Sequence, residues 1–188
     1  VGALLIQRTA WRNAEQALAR LRDATLLDPA RLRAARAADL EHCVRPAGFF
    51  RQKSTRLRAL AAWVDDAGGV DALASRDTAA LRGELLALQG VGPETADAIL
   101  LYALDRPVFV VDAYLRRVWA RLGLIEGTES YEALRGTIES TLPPDRAVYN
   151  EYHALLVAHG QRHCRPVPRC FDCALAGTCD HRRAGPRD

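Results

Sequence analysis

The chain has 188 residues, 49% of them hydrophobic, with a formal net charge of +3 at pH 7. That length and apolar content suffice for a buried core in one domain or two small lobes, and they exclude a disordered chain. No apolar run approaches the roughly 20 residues that cross a bilayer, and the start lacks a charged-then-apolar signal, so a soluble, cytoplasmic protein without membrane contact is expected. There is no methionine, and the chain opens already inside an apolar pattern at Leu4, Leu5 and Ile6, which suggests a natural start further upstream. Of 26 basic residues only Lys53 is lysine. Arginine makes bidentate, permanently charged contacts to phosphate and suits a nucleic-acid surface, although a GC-rich coding sequence gives the same bias.

In chain order the pattern is helical. Leu4, Leu5, Trp11, Ala14, Leu18 and Leu21 fall at helical spacing and predict a helix over 1–21, with Gln7, Arg8 and Thr9 as a polar patch within it. Asp28 caps, and Pro29 opens, a second helix that runs to residue 44. Cys43 lies among its apolar positions and reads as a core cysteine. After Arg45-Pro46-Ala47-Gly48 a helix over 52–66 carries Leu57, Leu60, Ala61 and Val64 on one face and stops at Gly68-Gly69. Helices over 78–88 and 93–104 follow, the latter with Ala96, Ile99, Leu100 and Ala103 directed inward. Val108 to Val111 is strand-like but too short to argue a sheet. Amphipathic stretches over 113–122, 131–142 and 146–159 complete an all-α reading without internal repeats.

Leu88 to Asp112 carries the strongest functional signal. Gly90-Val91-Gly92 separates two helices, and Pro93 suits the first position of the second, where its missing N–H costs nothing. Such a turn presents backbone N–H groups at a helix N-terminus, which bind phosphate oxygens without reading bases. An ordinary helix-to-helix turn has the same pattern. Asp112 ends the apolar run and by position alone is a helix cap. Further on, Cys164, Cys170, Cys173 and Cys179 are separated by five, two and five residues. Four thiols in so short a span are metal ligands or disulfides, and the absence of an export signal favours metal. Zinc ribbons usually pair two CxxC knuckles, whereas this tail has one. Four sulfur ligands leave no open position for substrate, so the metal would brace the tail or sense redox state. Arg162, Arg165 and Arg169 in and beside this loop could present charge to DNA.

LQGVGPETADAIL, VVDAYLRRV, RPAGFFRQKSTRL and CRPVPRCFDCALAGTC occur in the order found in the endonuclease III branch of the helix-hairpin-helix DNA glycosylases, and the chain resembles that family over nearly its whole length. The resemblance implies two helical lobes flanking a DNA-binding cleft: a helix-hairpin-helix domain over 1–106, its first helix missing, and an iron–sulfur domain over 107–188. It implies double-stranded DNA with a damaged base as partner and a monomer as the acting species. Asp112 would be the catalytic carboxylate, stabilising a cationic sugar and orienting water. Gln7 would fill the gap left by a flipped base, although its neighbour Arg8 departs from the smaller residue expected there. Gly48 and Lys53 would lie near the DNA backbone, as would Gly90, Val91, Gly92 and Thr95 of the hairpin. The four tail cysteines would hold a [4Fe–4S] cluster; the first gap is one residue shorter than in the best-known pattern, which leaves zinc as the alternative.

Bifunctional family members place a lysine just after the hairpin to attack the sugar, and this chain has Glu94 there. Glutamate forms no imine, so a monofunctional glycosylase with weak or absent lyase activity is expected. GPETADAILLYAL is closer to the 3-methyladenine subgroup, which favours alkylated purines. The alternatives are a bifunctional glycosylase and lyase acting on oxidised pyrimidines, and a catalytically silent DNA-binding protein that retains the fold.

Overall fold

Among the described residues five helices begin on an Asp or Ser whose side chain accepts a hydrogen bond from the first turn: Asp28, Asp77, Asp112, Ser130 and Asp145. Each satisfies an amide that would otherwise lack a partner, worth about 1 kcal/mol. The computed structural model describes residues 1–185, is 64% helical and has no strand among the described residues. It falls into two compact units, one from Val1 to Leu100 and the other from Leu101 onward.

The first unit contains α1 (Gly2–Leu5), α2 (Trp11–Asp23), α3 (Pro29–Ala34), α4 (Ala37–Val44), α5 (Phe50–Asp66), α6 (Val70–Ala74), α7 (Thr78–Ala87) and most of α8 (Pro93–Ala103). Helix α5 packs against α3 and α4, and α2 packs against α4. Leu4, Leu5, Leu21, Leu40, Leu57, Leu81 and Leu85 are buried between them, each worth about 1.5–3 kcal/mol. Cys43 is buried as expected, and its burial pushes the thiol up from its ordinary range.

Two helices that the spacing predicts as continuous are broken. The stretch over 1–21 divides into α1 and α2, because Arg8 adopts φ 55 and Ala10 is extended. Trp11, which falls at the same helical spacing as the buried Leu4 and Ala14, is 52% exposed. The second stretch, over 29–44, divides at Ala35, whose carbonyl accepts from Arg58 Nη2 at 2.5 Å instead of serving a further helical turn. Ala103, read as an inward position, is exposed, while Asp97 on the same helix is fully buried. Arg82 on α7 meets Asp97 through Nε at 2.6 Å and Nη2 at 3.1 Å. This bidentate pair ties together the two helices that flank the glycine turn.

Lys53 departs furthest from expectation. Neither solvated nor free to touch a phosphate, it is 1% exposed, with Nζ donating to Leu5 O at 2.8 Å and Ala47 O at 2.7 Å. Burial, aided by the nearby Arg56 charge, lowers its pKa, while the two carbonyl acceptors favour the charged amine. The lysine therefore fastens α1 and the turn at Ala47 onto α5.

The second unit contains α9 (Ala113–Leu122), α10 (Tyr131–Thr141), α11 (Arg146–Arg162) and α12 (Asp180–Arg183). Helix α9 packs against α11 and α12. Val108 to Val111 is buried outside any helix; Val108 N–H donates to Arg106 O at 2.8 Å, and two further amides turn to side chains, Phe109 N–H donating to Glu139 Oε1 at 2.9 Å and Val111 N–H to the Tyr131 hydroxyl at 3.3 Å. Those bonds replace a partner strand. The Phe109 ring meets Tyr149 edge-on at 5.6 Å and Tyr152 at 5.4 Å.

Replacing Lys53 by methionine keeps the apolar stem and removes both bonds, leaving two carbonyls unpaired. The expected loss is about 2–4 kcal/mol of stability, visible as a lower urea midpoint with helix content retained at low urea.

Candidate functional site

In the first unit the hairpin forms as the sequence indicates. Gly90 has φ 81, a conformation that favours glycine, and both Gly90 and Gly92 are exposed together with Pro93 and Glu94. Val91 differs from its neighbours: its side chain is buried, and its N–H donates to Leu88 O at 3.1 Å. The Val91 amide is thus spent inside the turn, contrary to the expectation that it faces a phosphate. The open backbone of the turn lies instead at Gly90 and Gly92, beside the N-terminus of α8.

Gln7 is drawn onto this hairpin. Its Nε2 donates to Gly90 O at 3.0 Å and to Thr95 Oγ1 at 2.9 Å, and its Oε1 accepts from Arg56 Nη1 at 2.8 Å. Thr95 is buried, so its hydroxyl serves Gln7 and does not point outward as a phosphate ligand. Arg56 was not identified from the sequence. It lies across the α-carbon of Gly90, where a Cβ would run into its guanidinium.

Gly48 sits at φ 69 between a single 3-10 turn and α5, and the next residue, Phe49, adopts φ 47 with 55% of its surface exposed. The Arg8 guanidinium lies 5.6 Å from the Phe49 ring centre, and Arg45 lies 4.8 Å from that of Phe50. The exposed Phe49 ring and the half-buried Phe50 ring, each beside an arginine, form a basic, aromatic surface that the spacing of apolar residues did not signal.

In the second unit Asp112 is 7% exposed. Its Oδ1 accepts from Leu115 N–H at 2.8 Å, and its Oδ2 lies 3.4 Å from His153 Nε2 on α11. The Tyr102 hydroxyl is 2.5 Å from His153 Nδ1. Tyr102 is 48% exposed, and the partial burial of its hydroxyl end, together with the Asp112 charge, raises that hydroxyl above its ordinary pKa, so it keeps its proton. Tyr102 and His153 are 51 residues apart and no local pattern links them.

The four tail cysteines are free thiols that line one cavity together with His159, Val118 and Leu122. Cys164 Sγ accepts from Arg121 Nη1 at 3.3 Å, Cys179 Sγ lies 3.2 Å from Arg121 O, and Cys173 Sγ lies 3.8 Å from His159 Nε2. Among the described residues no group of three or more His, Cys, Asp or Glu side chains converges on a point that one metal ion could occupy. Arg121 and Arg117 brace the start of the tail through its carbonyls, Arg117 Nε donating to Cys164 O at 2.7 Å and Arg121 Nη2 to Pro166 O at 2.8 Å. Arg162, Arg165 and Arg169 are exposed.

An all-helical chain with a glycine hairpin between two helices, and an aspartate capping a helix after a buried non-helical run, defines a class that comparison with known proteins identifies. The family described as HhH-GPD superfamily base excision DNA repair protein matches residues 1–144. The chain belongs to this family, and at the level of reaction class it is a DNA glycosylase. It is 42% identical over 95% of its length to a Methanocaldococcus jannaschii protein named "Putative DNA repair glycosylase", covering 83% of that protein. It is 30% identical over 98% of its length to the endonuclease III of Thermotoga maritima, again covering 83%. Among solved structures, Helicobacter pylori 3-methyladenine DNA glycosylase bound to 1,N6-ethenoadenine is similar with a TM-score of 0.74 and 27% identity, covering 86% of this chain and 82% of that one. A trapped endonuclease III–DNA covalent intermediate is similar with a TM-score of 0.81 and 25% identity, covering 97% and 82%.

The two hairpin glycines should respond differently to substitution. Gly90→Ala places a side chain at φ 81 and against Arg56, and is expected to cost about 1–3 kcal/mol. Gly92→Ala meets nothing within 4 Å and should change the denaturation midpoint little.

Proposed function

We propose that the chain is a monofunctional DNA glycosylase that hydrolyses the N-glycosidic bond of a damaged base, an alkylated purine, in double-stranded DNA. The observation that carries the monofunctional reading is the fate of the single lysine. Lyase chemistry of the endonuclease III kind needs an amine that attacks the sugar, and Lys53 holds its amine against two backbone carbonyls. The position after the hairpin is Glu94. The choice of alkylated purine is supported by the similarity to a 3-methyladenine glycosylase whose structure contains 1,N6-ethenoadenine.

Asp112 is the proposed catalytic residue. Base release leaves a positively charged sugar, and a carboxylate with one oxygen held by a helix amide keeps the other for that charge and for the attacking water. The flipped base is the cost that opens access to the bond. The exposed backbone at Gly90 and Gly92, and the α8 N-terminus behind it, is the proposed phosphate contact. Gln7, held on the same hairpin, and Phe49, with Arg8 beside it, extend that DNA-facing surface. Exposed apolar side chains serve such surfaces by entering between base steps. Gly48 contributes the turn that projects Phe49. On this reading the first unit carries the hairpin and the second the catalytic carboxylate and the cysteine tail. The protein acts as a monomer in the cytoplasm; no helix among the described residues is long and apolar enough to cross a membrane.

Cys164, Cys170, Cys173 and Cys179 are the proposed ligands of a [4Fe–4S] cluster. Four unbridged thiols around a shared cavity, spaced with a single CxxC and one cysteine well to each side, resemble the iron–sulfur loop of the family more than the paired CxxC knuckles of a zinc ribbon. Bound there, the cluster would brace the tail and could carry an electron, and its fully ligated irons would offer no position to substrate.

The test is base release from duplex oligonucleotides bearing single alkylated or oxidised bases, read with and without hot alkali. Breaks at an alkylated purine that appear only after alkali are expected, and Asp112→Asn should slow them roughly a hundred- to ten-thousand-fold. Asparagine still caps α9, so the variant should fold. Breaks without alkali would overturn the monofunctional reading, and release of oxidised pyrimidines alone would overturn the choice of substrate. Independently, the purified protein should contain about four irons and four acid-labile sulfides per chain. Serine at Cys170 should lower both, whereas zinc in place of iron would refute the cluster.

A further inference from the structure

Tyr102 and His153 take no part in the scheme above, yet they complete the surroundings of Asp112. The Asp112 Oδ1 is occupied by the Leu115 amide, so Oδ2 is the oxygen left for chemistry. Facing it at 3.4 Å is His153 Nε2, a buried nitrogen that has no aligned hydrogen-bond partner. The other ring nitrogen, Nδ1, lies 2.5 Å from the Tyr102 hydroxyl, and the two rings are tilted at 55° with centres 5.8 Å apart. Either ring nitrogen could carry the hydrogen, and a lone pair on Nε2 would face the Asp112 carboxylate, which favours the tautomer with its hydrogen on Nε2 and the Tyr102 hydroxyl donating to Nδ1. The hydrogen then lies on the side of the ring that faces Asp112.

We propose that His153 is a positioning residue: held by Tyr102 as the Nε2–H tautomer, it donates to Asp112 Oδ2 and fixes the plane of the catalytic carboxylate. This inference rests on Asp112 being the catalytic group. Its physical merit lies in the charge. A lysine or arginine in the same place would orient the carboxylate and also cancel the negative charge that the cationic sugar requires. A neutral imidazole orients it and leaves the charge intact. The present 3.4 Å separation is loose for such a bond, as is common before substrate draws a site together. Two donors on two oxygens, one from the backbone and one from α11, leave the carboxylate little freedom to rotate.

Two readouts on the full-length, cluster-loaded chain decide it. Long-range proton–nitrogen spectra of the labelled protein should show His153 as the Nε2–H tautomer, with its Nε2 resonance shifted by Asp112→Asn and its Nδ1 resonance shifted by Tyr102→Phe. In base-release assays, His153→Ala should lower kcat by about 10- to 100-fold with KM for the lesion-bearing duplex unchanged. His153→Gln, whose amide can place an N–H where Nε2 stands, should recover most of the loss, and Tyr102→Phe should fall between. A His153 that carries its hydrogen on Nδ1, a His153→Ala variant of unchanged kcat, or a glutamine variant no better than alanine would overturn the proposal. If the wild-type chain releases no base from any lesion, the glycosylase reading of Asp112 falls, and the spectra still decide the pairing. An Nε2 resonance that moves on Asp112→Asn sustains it, and one that stays overturns it.

Discussion

The hydrogen bond from the Leu115 amide to Asp112 Oδ1 is the constraint on which the chemistry proposed for the second unit depends. It starts α9 at Ala113 and, in doing so, fixes one oxygen of the carboxylate and directs the other toward His153. The backbone that delivers Asp112 is immobilised independently. Val108 to Val111 is buried, the Phe109 and Val111 amides are bonded to Glu139 and Tyr131, and the Phe109 ring meets two tyrosines of α11. A helix cap and the catalytic carboxylate proposed here need the same thing, an Asp oxygen at a fixed distance from a fixed backbone. Asp112 is able to serve both because only one of its two oxygens is used by the cap.

The first unit fastens its functional surface with charges placed inside the protein. Asp97, fully buried, is matched by both arms of the Arg82 guanidinium, and Lys53 is matched by two carbonyls. Buried charges are tolerable only when paired and hydrogen-bonded, and here their partners come from different segments of the unit, so the pairing fixes how those segments meet. Other arginines that composition offers to a nucleic acid are engaged within the protein too, several of them at its surface. Arg33 joins Asp65 and Asp66, Arg135 joins Glu132 and Glu139, and Arg117 and Arg121 hold carbonyls of the tail. Net charge therefore says little about this protein's affinity for DNA. The arginines at Arg8, Arg45 and Arg51, grouped around two phenylalanines, say more.

The helical class, the hairpin and the caps at Asp28 and Asp112 were legible because each is written in residues that are neighbours in the chain. Asp28 before Pro29, Gly90 and Gly92 around Val91, and Asp112 before an amphipathic stretch all act within one turn of themselves. The breaks inside the two predicted long helices were not legible. Helical spacing continues through Arg8 and through Ala35, and the chain leaves the helix because Gln7 bonds to a hairpin 83 residues away and Ala35 O bonds to Arg58. The exposure of Trp11 and Ala103 has a related reason. An apolar residue at the right phase of a helix is buried only if another element covers that face.

By itself the sequence determined which residues could do the chemistry: an aspartate at a helix start, a glycine turn, four closely spaced cysteines, and a glutamate where a nucleophilic lysine would stand. These are statements about residue type and short spacing, which the chain carries locally. Only the tertiary structure decided what each side chain is free to do. It buried the single lysine against Leu5 and Ala47 carbonyls, turned Thr95 inward to Gln7, and set His153 and Tyr102 beside Asp112. A side chain's availability depends on the partners that packing brings to it, and those partners lie tens of residues away, where no local pattern records them.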